Sequence, residues 1–306
     1  MRIDEMLATT RPSFSVEFFP PKTEEGREAL FETVEVLREL EPSYFSVTYG
    51  AGGATREGTL ETARAIRDDY GVEAMAHLSC VGETTESLRE IVDRIAAAGI
   101  ENILALRGDP PRGQRDFVHP EGGLGSAAEL AALISGSHPE IAIGGSCFPE
   151  VHPEAPSLEA DLAYLKTKVE NGASFLITQL FFDNSHYFDF VPAARAAGID
   201  VPIIPGVMPI TSYAQIRRFC QLCEAEIPAP LASAMEALGG DERAEFELGV
   251  AYASQQCAEL LREGAPGIHL YALNRWPATR AILGALRASK PWVQRESGAP
   301  AAAGAA

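Results

Sequence analysis

The feature that most constrains this chain is an unbroken alternation. Eight short β-branched or aromatic runs are interleaved with stretches of helical spacing. The runs are "SFSVEFF" (13–19), "YFSVTYG" (44–50), "EAMAHLSC" (73–80), "NILALRG" (102–108), "IAIGGSCF" (141–148), "FLITQLFF" (175–182), "VPIIPGV" (201–207) and "IHLYAL" (268–273). Between them, Leu30, Val34 and Leu37 fall at i, i+4 and i+7, one face of a helix over 26–40. Leu88, Ile91, Val92 and Ile95 do the same over 84–98, after the capping stretch Thr84-Thr85-Glu86-Ser87. The segment 157–173 opens on a Ser157 cap and has Gly172 beyond its last turn. The interval 208–267 is too long for one helix, so extra helices are expected around 228–239 and 241–263. Such alternation implies right-handed βαβ units and a parallel sheet. Eight units in a chain of 306 residues fit a closed α/β (β/α)8 TIM barrel, with extra helices before its last strand, better than an open doubly wound sheet. The barrel is expected over 1–290 as a single catalytic domain, and 291–306, ending in "SGAPAAAGAA", as a disordered tail.

Composition narrows the setting. With 46% hydrophobic and 22% charged residues the chain suits a globular protein with a large core. A formal net charge of −18 argues against nucleic acid or an anionic membrane as partner, since both would be repelled. The opening "MRIDEMLATTRPS" has no apolar core of about 7–15 residues, and no run nears about 18 consecutive apolar residues. Neither a secretory leader nor a membrane span is therefore expected. Five cysteines, an odd number, suggest reduced thiols in a cytoplasmic protein. Cys220 and Cys223 form a C-x-x-C within a helical pattern. No second C-x-x-C completes a zinc site, so two thiols on a helix is the favoured reading.

Barrel chemistry sits at the C-terminal ends of the strands. There the chain places Glu17, Thr48, Tyr49, His77, Arg107-Gly108-Asp109, Glu150, His152, Gln179 and Asn274-Arg275. Each has a plain structural reading: His77 as a bonded core histidine, Gln179 satisfying backbone, Asp109 capping a turn before Pro110-Pro111. Together they are harder to dismiss, because so many buried polar groups at one barrel end are unfavourable unless satisfied or used. Metal-ligand spacing, a G-x-S-x-G elbow and a Walker loop are all absent, and "GAGGATREG" (50–58) does not fit G-x-G-x-x-G. Two classes remain: acid–base chemistry on a bound small molecule, or a cofactor that carries the difficult step.

The segments "FSVEFFPPK", "FSVTYGAGG", "AHLSC", "ALRGD", "FPEVHPEA", "ITQLFFD", "IIPGVMPI" and "LNR" occur in order over 13–275. In these the chain resembles the methylenetetrahydrofolate reductase family, in its bacterial form without the C-terminal regulatory domain of eukaryotic enzymes. The resemblance implies a barrel holding FAD that takes hydride from NAD(P)H and passes it to 5,10-methylenetetrahydrofolate by ping-pong kinetics. It implies a role in one-carbon metabolism and methionine biosynthesis, and a homo-oligomer. Competing readings are another flavin-dependent barrel oxidoreductase such as a proline dehydrogenase, a weak-FAD or flavin-independent reductase, and a non-catalytic pterin-binding subunit.

Residue by residue, the resemblance makes Glu17 the general acid that protonates N10 of the folate, and Asp109 the aspartate near flavin and pterin. A carboxylic acid in an apolar strand is expected to have a raised pKa. Tyr49, Ala51, His77, Arg107, Gly108, Asp109, Ser126, Ala127, Phe148, His152, Asp161, Tyr164, Thr167 and Lys168 would bind FAD. Thr48, Gln179, Gln215, Phe219 and Arg275 would bind the substrates, Arg275 pairing with the glutamate tail. Phe148 and Ser126 stand where tyrosines are common, and Tyr164 and Thr167 replace polar or basic residues, departures that bear on FAD affinity. No metal is expected.

Overall fold

The structure, a computed structural model, describes residues 1–49, 55–108 and 120–293, with the side chains of 55–57 left aside. Asp109 and Ala51, both singled out above, lie outside the described residues. So does 294–306 of the expected tail. The three residues before it are placed, with the Trp292 ring centroid 5.6 Å from that of Phe14.

A short helix, α1 (Ile3–Thr9), precedes the alternation. The first half then runs β1 (Ser13–Phe18), α2 (Glu24–Arg38), β2 (Tyr44–Val47), α3 (Thr55–Tyr70), β3 (Ala74–Ser79), α4 (Thr85–Ala97), β4 (Asn102–Leu106) and α5 (Ala127–Ser137). The second runs β5 (Ala142–Cys147), α6 (Leu158–Glu170), β6 (Ala173–Thr178), α7 (Asn184–Ala196), β7 (Ile203–Ile204) and β8 (Gly206–Val207). Three helices follow, α8 (Tyr213–Cys223), α9 (Ala229–Ala237) and α10 (Glu242–Arg262), before β9 (Gly267–Tyr271) and α11 (Trp276–Ser289). The expected extra helices are α9 and α10, and the cysteine pair sits at the end of α8. Thr84 and Ser157 cap α4 and α6 by accepting backbone N–H bonds from Ser87 and Ala160.

Every strand pair is parallel, in the order β7-β6-β5-β4-β3-β2-β1-β9-β8. The expected seventh strand is split: β7 pairs with β6 and β8 with β9, and only Pro205 separates them. A proline has no N–H to give a ladder. Its carbonyl still accepts from His269 N at 3.0 Å. The two fragments thus close the barrel as one bent strand.

Side-chain alternation sorts the strands into two cores. Phe14, Val16, Phe18, Phe45, Val47 and Leu78 face outward and pack with helix residues such as Leu30, Val34 and Leu37. Inside the barrel, Tyr44, Met75, Leu104, Phe175, Ile177 and Ile204 fill the end near the strand starts, and α1 plugs it with Ile3, Met6 and Leu7. Gly144 leaves room there for Phe175, since a Cβ would lie 2.7 Å from that ring. On β2, β3 and β9 the inward positions turn polar toward the C-terminal end, at Ser46, His77 and His269, whereas β4 stays apolar there with Leu106. No helix among the described residues is long and apolar enough to cross a membrane.

Candidate active site

Glu17 is the inward residue at the end of β1, its side chain 14% exposed. Its neighbours in the barrel were not all anticipated. The β1–β9 register sets Ser15 opposite His269 and Glu17 opposite Tyr271. His269 is fully buried, with Nε2 at 3.3 Å from Glu17 Oε2 and Nδ1 at 2.8 Å from Ser15 Oγ. His77, on β3, brings Nε2 to 3.5 Å from the same Oε2 and 3.2 Å from Ser46 Oγ. Glu17 Oε1 has no partner among the described residues, so one carboxyl oxygen is anchored and the other is not.

The expected rise in the Glu17 pKa is overturned. Burial pushes this carboxyl up, but the imidazoles of His77 and His269 outweigh it and hold the group below its ordinary value. A carboxyl in an apolar strand would rise only if nothing polar faced it, and two histidines do. Burial in turn pushes His77 down to about 4, against the opposing pull of Glu17. Tyr271, next along β9, donates its hydroxyl to Thr178 O at 2.6 Å.

Beside this cluster opens a cavity of about 510 Å³ between the ends of β4, β5 and β6 and the buried face of α6. Arg107, Gly108, Ser126, Ala127 and Phe148 line it, all named from the sequence. So do His152, Asp161, Tyr164, Lys168 and Gln179. Gly108 has φ +88°, and a Cβ there would sit 2.0 Å from Ser79 Oγ, so glycine is required where the chain leaves β4. Ser126 accepts from Glu129 N at 3.1 Å, and this explains a serine here: it caps α5. The Phe148 and His152 rings meet edge to face, centroids 4.5 Å apart. Between them Val151 holds φ +68°, an outlier for a β-branched residue.

Asp161 and Lys168 share one face of α6, as their spacing requires. Asp161 Oδ2 accepts from His152 N at 2.9 Å, and buried Lys168 donates from Nζ to Ser146 O at 2.6 Å. Desolvation pushes the Lys168 ammonium down to about 8. Burial also holds His152 below its ordinary value. Thr167 is not brought in. It lies about 100° round the helix from that face, exposed, and donates to Ala163 O at 3.1 Å. Tyr49 packs against the outer core rather than lining the large cavity. Thr48 Oγ1 is buried and has no partner among the described residues. Gln179 bonds its own turn, Oε1 accepting from Leu180 N at 2.8 Å.

Above the barrel, Gln215 accepts from Thr211 Oγ1 at 2.6 Å and Phe219 sits half-buried among the apolar residues of α8 and α9. Arg275 is exposed, and its guanidinium has no partner among the described residues. It follows two consecutive left-handed residues, Leu273 at φ +51° and Asn274 at φ +58°. The Asn274 amide clamps this turn to both the N–H and carbonyl of Phe19, at 2.8 and 2.9 Å. His269, Ser15 and Glu154 were missed from sequence. His269 and Ser15 did carry a signal, being inward by alternation with Tyr271 and Glu17. Glu154, which pairs with Arg107, carried none.

The family model for methylenetetrahydrofolate reductase matches residues 2–287. The 5,10-methylenetetrahydrofolate reductase of Escherichia coli (strain K12) is 39% identical over 286 residues, 92% of this chain and 93% of that protein. Methylenetetrahydrofolate reductase (NADH) 1 of Arabidopsis thaliana is 39% identical over 287 residues, 89% of this chain and 48% of that protein. The chain thus spans about half the length of the plant relatives it matches. Among solved structures, an uncharacterized protein from Clostridium thermocellum that binds two copies of 5-methyl-5,6,7,8-tetrahydrofolic acid has TM-score 0.65 at 16% identity, covering 95% of this chain and 99% of that one. A 2,3-dimethylmalate lyase reaches 0.53 at 11%, covering 97% and 88%. These two share the fold.

Proposed function

Because the chain belongs to the methylenetetrahydrofolate reductase family, we propose that it reduces 5,10-methylenetetrahydrofolate to 5-methyltetrahydrofolate, with FAD as cofactor and NAD(P)H as hydride donor in ping-pong order. The observation that carries the reading is a Glu17 carboxyl anchored at one oxygen and open at the other, beside a cavity lined by Arg107 and Lys168 together with Glu154 and Asp161. The same reading implies one catalytic barrel over 1–290, a cytoplasmic homo-oligomer and a supply of methyl groups for methionine biosynthesis. The NADH in the plant relatives' names favours that donor.

The residues present fit a flavin dinucleotide. Leu106, Leu165, Tyr164 and Phe148 offer apolar wall for a ring system. Arg107 and Lys168 offer cations for a diphosphate, and a buried ammonium pushed down to about 8 gains from an anion beside it. On the substrate side, Thr48 Oγ1 is a buried hydroxyl still to be satisfied. When bound, FAD supplies a two-electron relay between nicotinamide and folate.

The chain's own part is acid catalysis. In the open site His77 and His269 keep Glu17 ionised. A folate covering the remaining exposed oxygen removes its water, and the added desolvation moves the carboxyl up until it takes a proton. Glu17 Oε1 then delivers that proton to N10, the bond from N10 to the methylene carbon opens, and the resulting 5-iminium carbon is ready for hydride. Ser15 fixes the imidazole: with its O–H donated to His269 Nδ1, the Nε2–H faces Glu17. In this reading Arg275, which is exposed, would pair with the substrate's glutamate tail, and half-buried Phe219 would stack on the folate.

The test is Glu17→Gln, followed anaerobically by flavin absorbance. Reduction by NADH is expected at the native rate, and reoxidation by methylenetetrahydrofolate to slow by at least about 100-fold. Native reoxidation would remove Glu17 from its role. Failure of the wild-type protein to bind FAD would remove the cofactor.

A further inference from the structure

Arg107 leaves the end of β4, and Glu154 sits across the cavity in the loop between β5 and α6. Their side chains meet in a two-pronged pair, Nη1–Oε2 at 2.5 Å and Nη2–Oε1 at 2.7 Å. The pair therefore spans the cavity that the preceding reading gives to the cofactor. Its two carboxylates are held very differently. Asp161 is buried and pinned by the His152 N–H. The Glu154 side chain is 56% exposed, and among the described residues its carboxylate bonds only to Arg107. The backbone behind it is fixed, with Glu154 N donating to His152 Nδ1 at 3.0 Å and Val151 in the left-handed region. A rotation of the side chain alone would carry the carboxylate into solvent.

A guanidinium fork accepts two oxygens of a carboxylate or of a phosphate in the same geometry. We propose that Glu154 is a displaceable latch: it occupies Arg107 while the cavity lacks ligand and yields that fork to the phosphate oxygens of a dinucleotide. The inference rests on the cofactor reading above and adds a residue that sets how tightly the diphosphate is held. The latch supplies Arg107 with its counter-charge before the ligand arrives, and opposes binding by the strength of one partly exposed ion pair. Such pairs are weak, so the opposition is a modest factor rather than a block.

The experiment measures FAD and riboflavin affinity by flavin fluorescence on flavin-stripped protein. Riboflavin carries the same ring system without phosphates. Glu154→Gln keeps the size and removes the charge, at a position exposed enough to leave folding intact. It is expected to bind FAD about three- to tenfold more tightly and riboflavin unchanged. Arg107→Gln is expected to weaken FAD, and in that background Glu154→Gln should have no further effect. FAD affinity that is unchanged or weaker in Glu154→Gln overturns the latch, as does equal tightening of riboflavin. Wild-type protein that binds neither flavin would overturn the cofactor reading and the latch with it.

Discussion

At Glu17 two opposed effects meet on one carboxyl: burial favours the proton and two imidazoles favour the charge. The imidazoles prevail, so on the proposed mechanism the acid would be made by the substrate's arrival rather than stored. On the proposed mechanism His269 would position Glu17, with a distinctive consequence. His269→Gln removes the stronger geometric partner of Glu17, and the carboxyl moves up. Turnover that needs protonated Glu17 falls as pH rises through its pKa, so the alkaline limb of the folate half-reaction should shift to higher pH in the variant. Reduction by NADH should be unmoved. A purely structural role would lower the rate at every pH and leave the limb in place. Glu17 was legible in the sequence because alternation alone turns it inward from Val16 and Phe18. His269 was not matched to it, because the two are 252 residues apart and only the β1–β9 register joins them.

Among the elements, α6 turns a buried charge toward the cavity at the expense of stability. Lys168 is 4% exposed, and its ammonium is held at about 8 by desolvation. Because the folded state binds this proton less well than the unfolded chain does, stability should rise with pH between about 8 and 10.5. At pH 7 the buried charge is a liability on the order of 3 kcal/mol, at about 1.4 kcal/mol per pH unit. Lys168→Met should therefore raise the urea midpoint of ligand-free protein at pH 7 and flatten that pH dependence, while weakening FAD. The face itself was legible, since Asp161 and Lys168 are seven apart. Thr167, grouped with them on family resemblance, lies about 100° round the helix from that face.

At the scale of the whole molecule, the barrel closes around a polar layer, and its pH response follows. Burial pushes His77 from 6.5 to about 4, so the unfolded chain binds the proton better across that window. The stabilisation is complete above about 6.5 and is lost as pH falls toward 4. Between pH 6.5 and 5 the loss should be about 2 kcal/mol, read from urea midpoints, and His77→Gln should flatten it. Protonation of Glu17, held low in the fold, adds to the loss further into acid. By itself the sequence determined the alternation, hence the parallel barrel, the extra helices and the inward face of each strand, because these depend on spacing along a local segment. Three things were decided only in three dimensions: α1 as the barrel's plug, the strand split at Pro205, and the partners of Glu17 and Arg107. Each depends on which distant segments closure brings together, and a periodicity of two or of 3.6 carries no record of that.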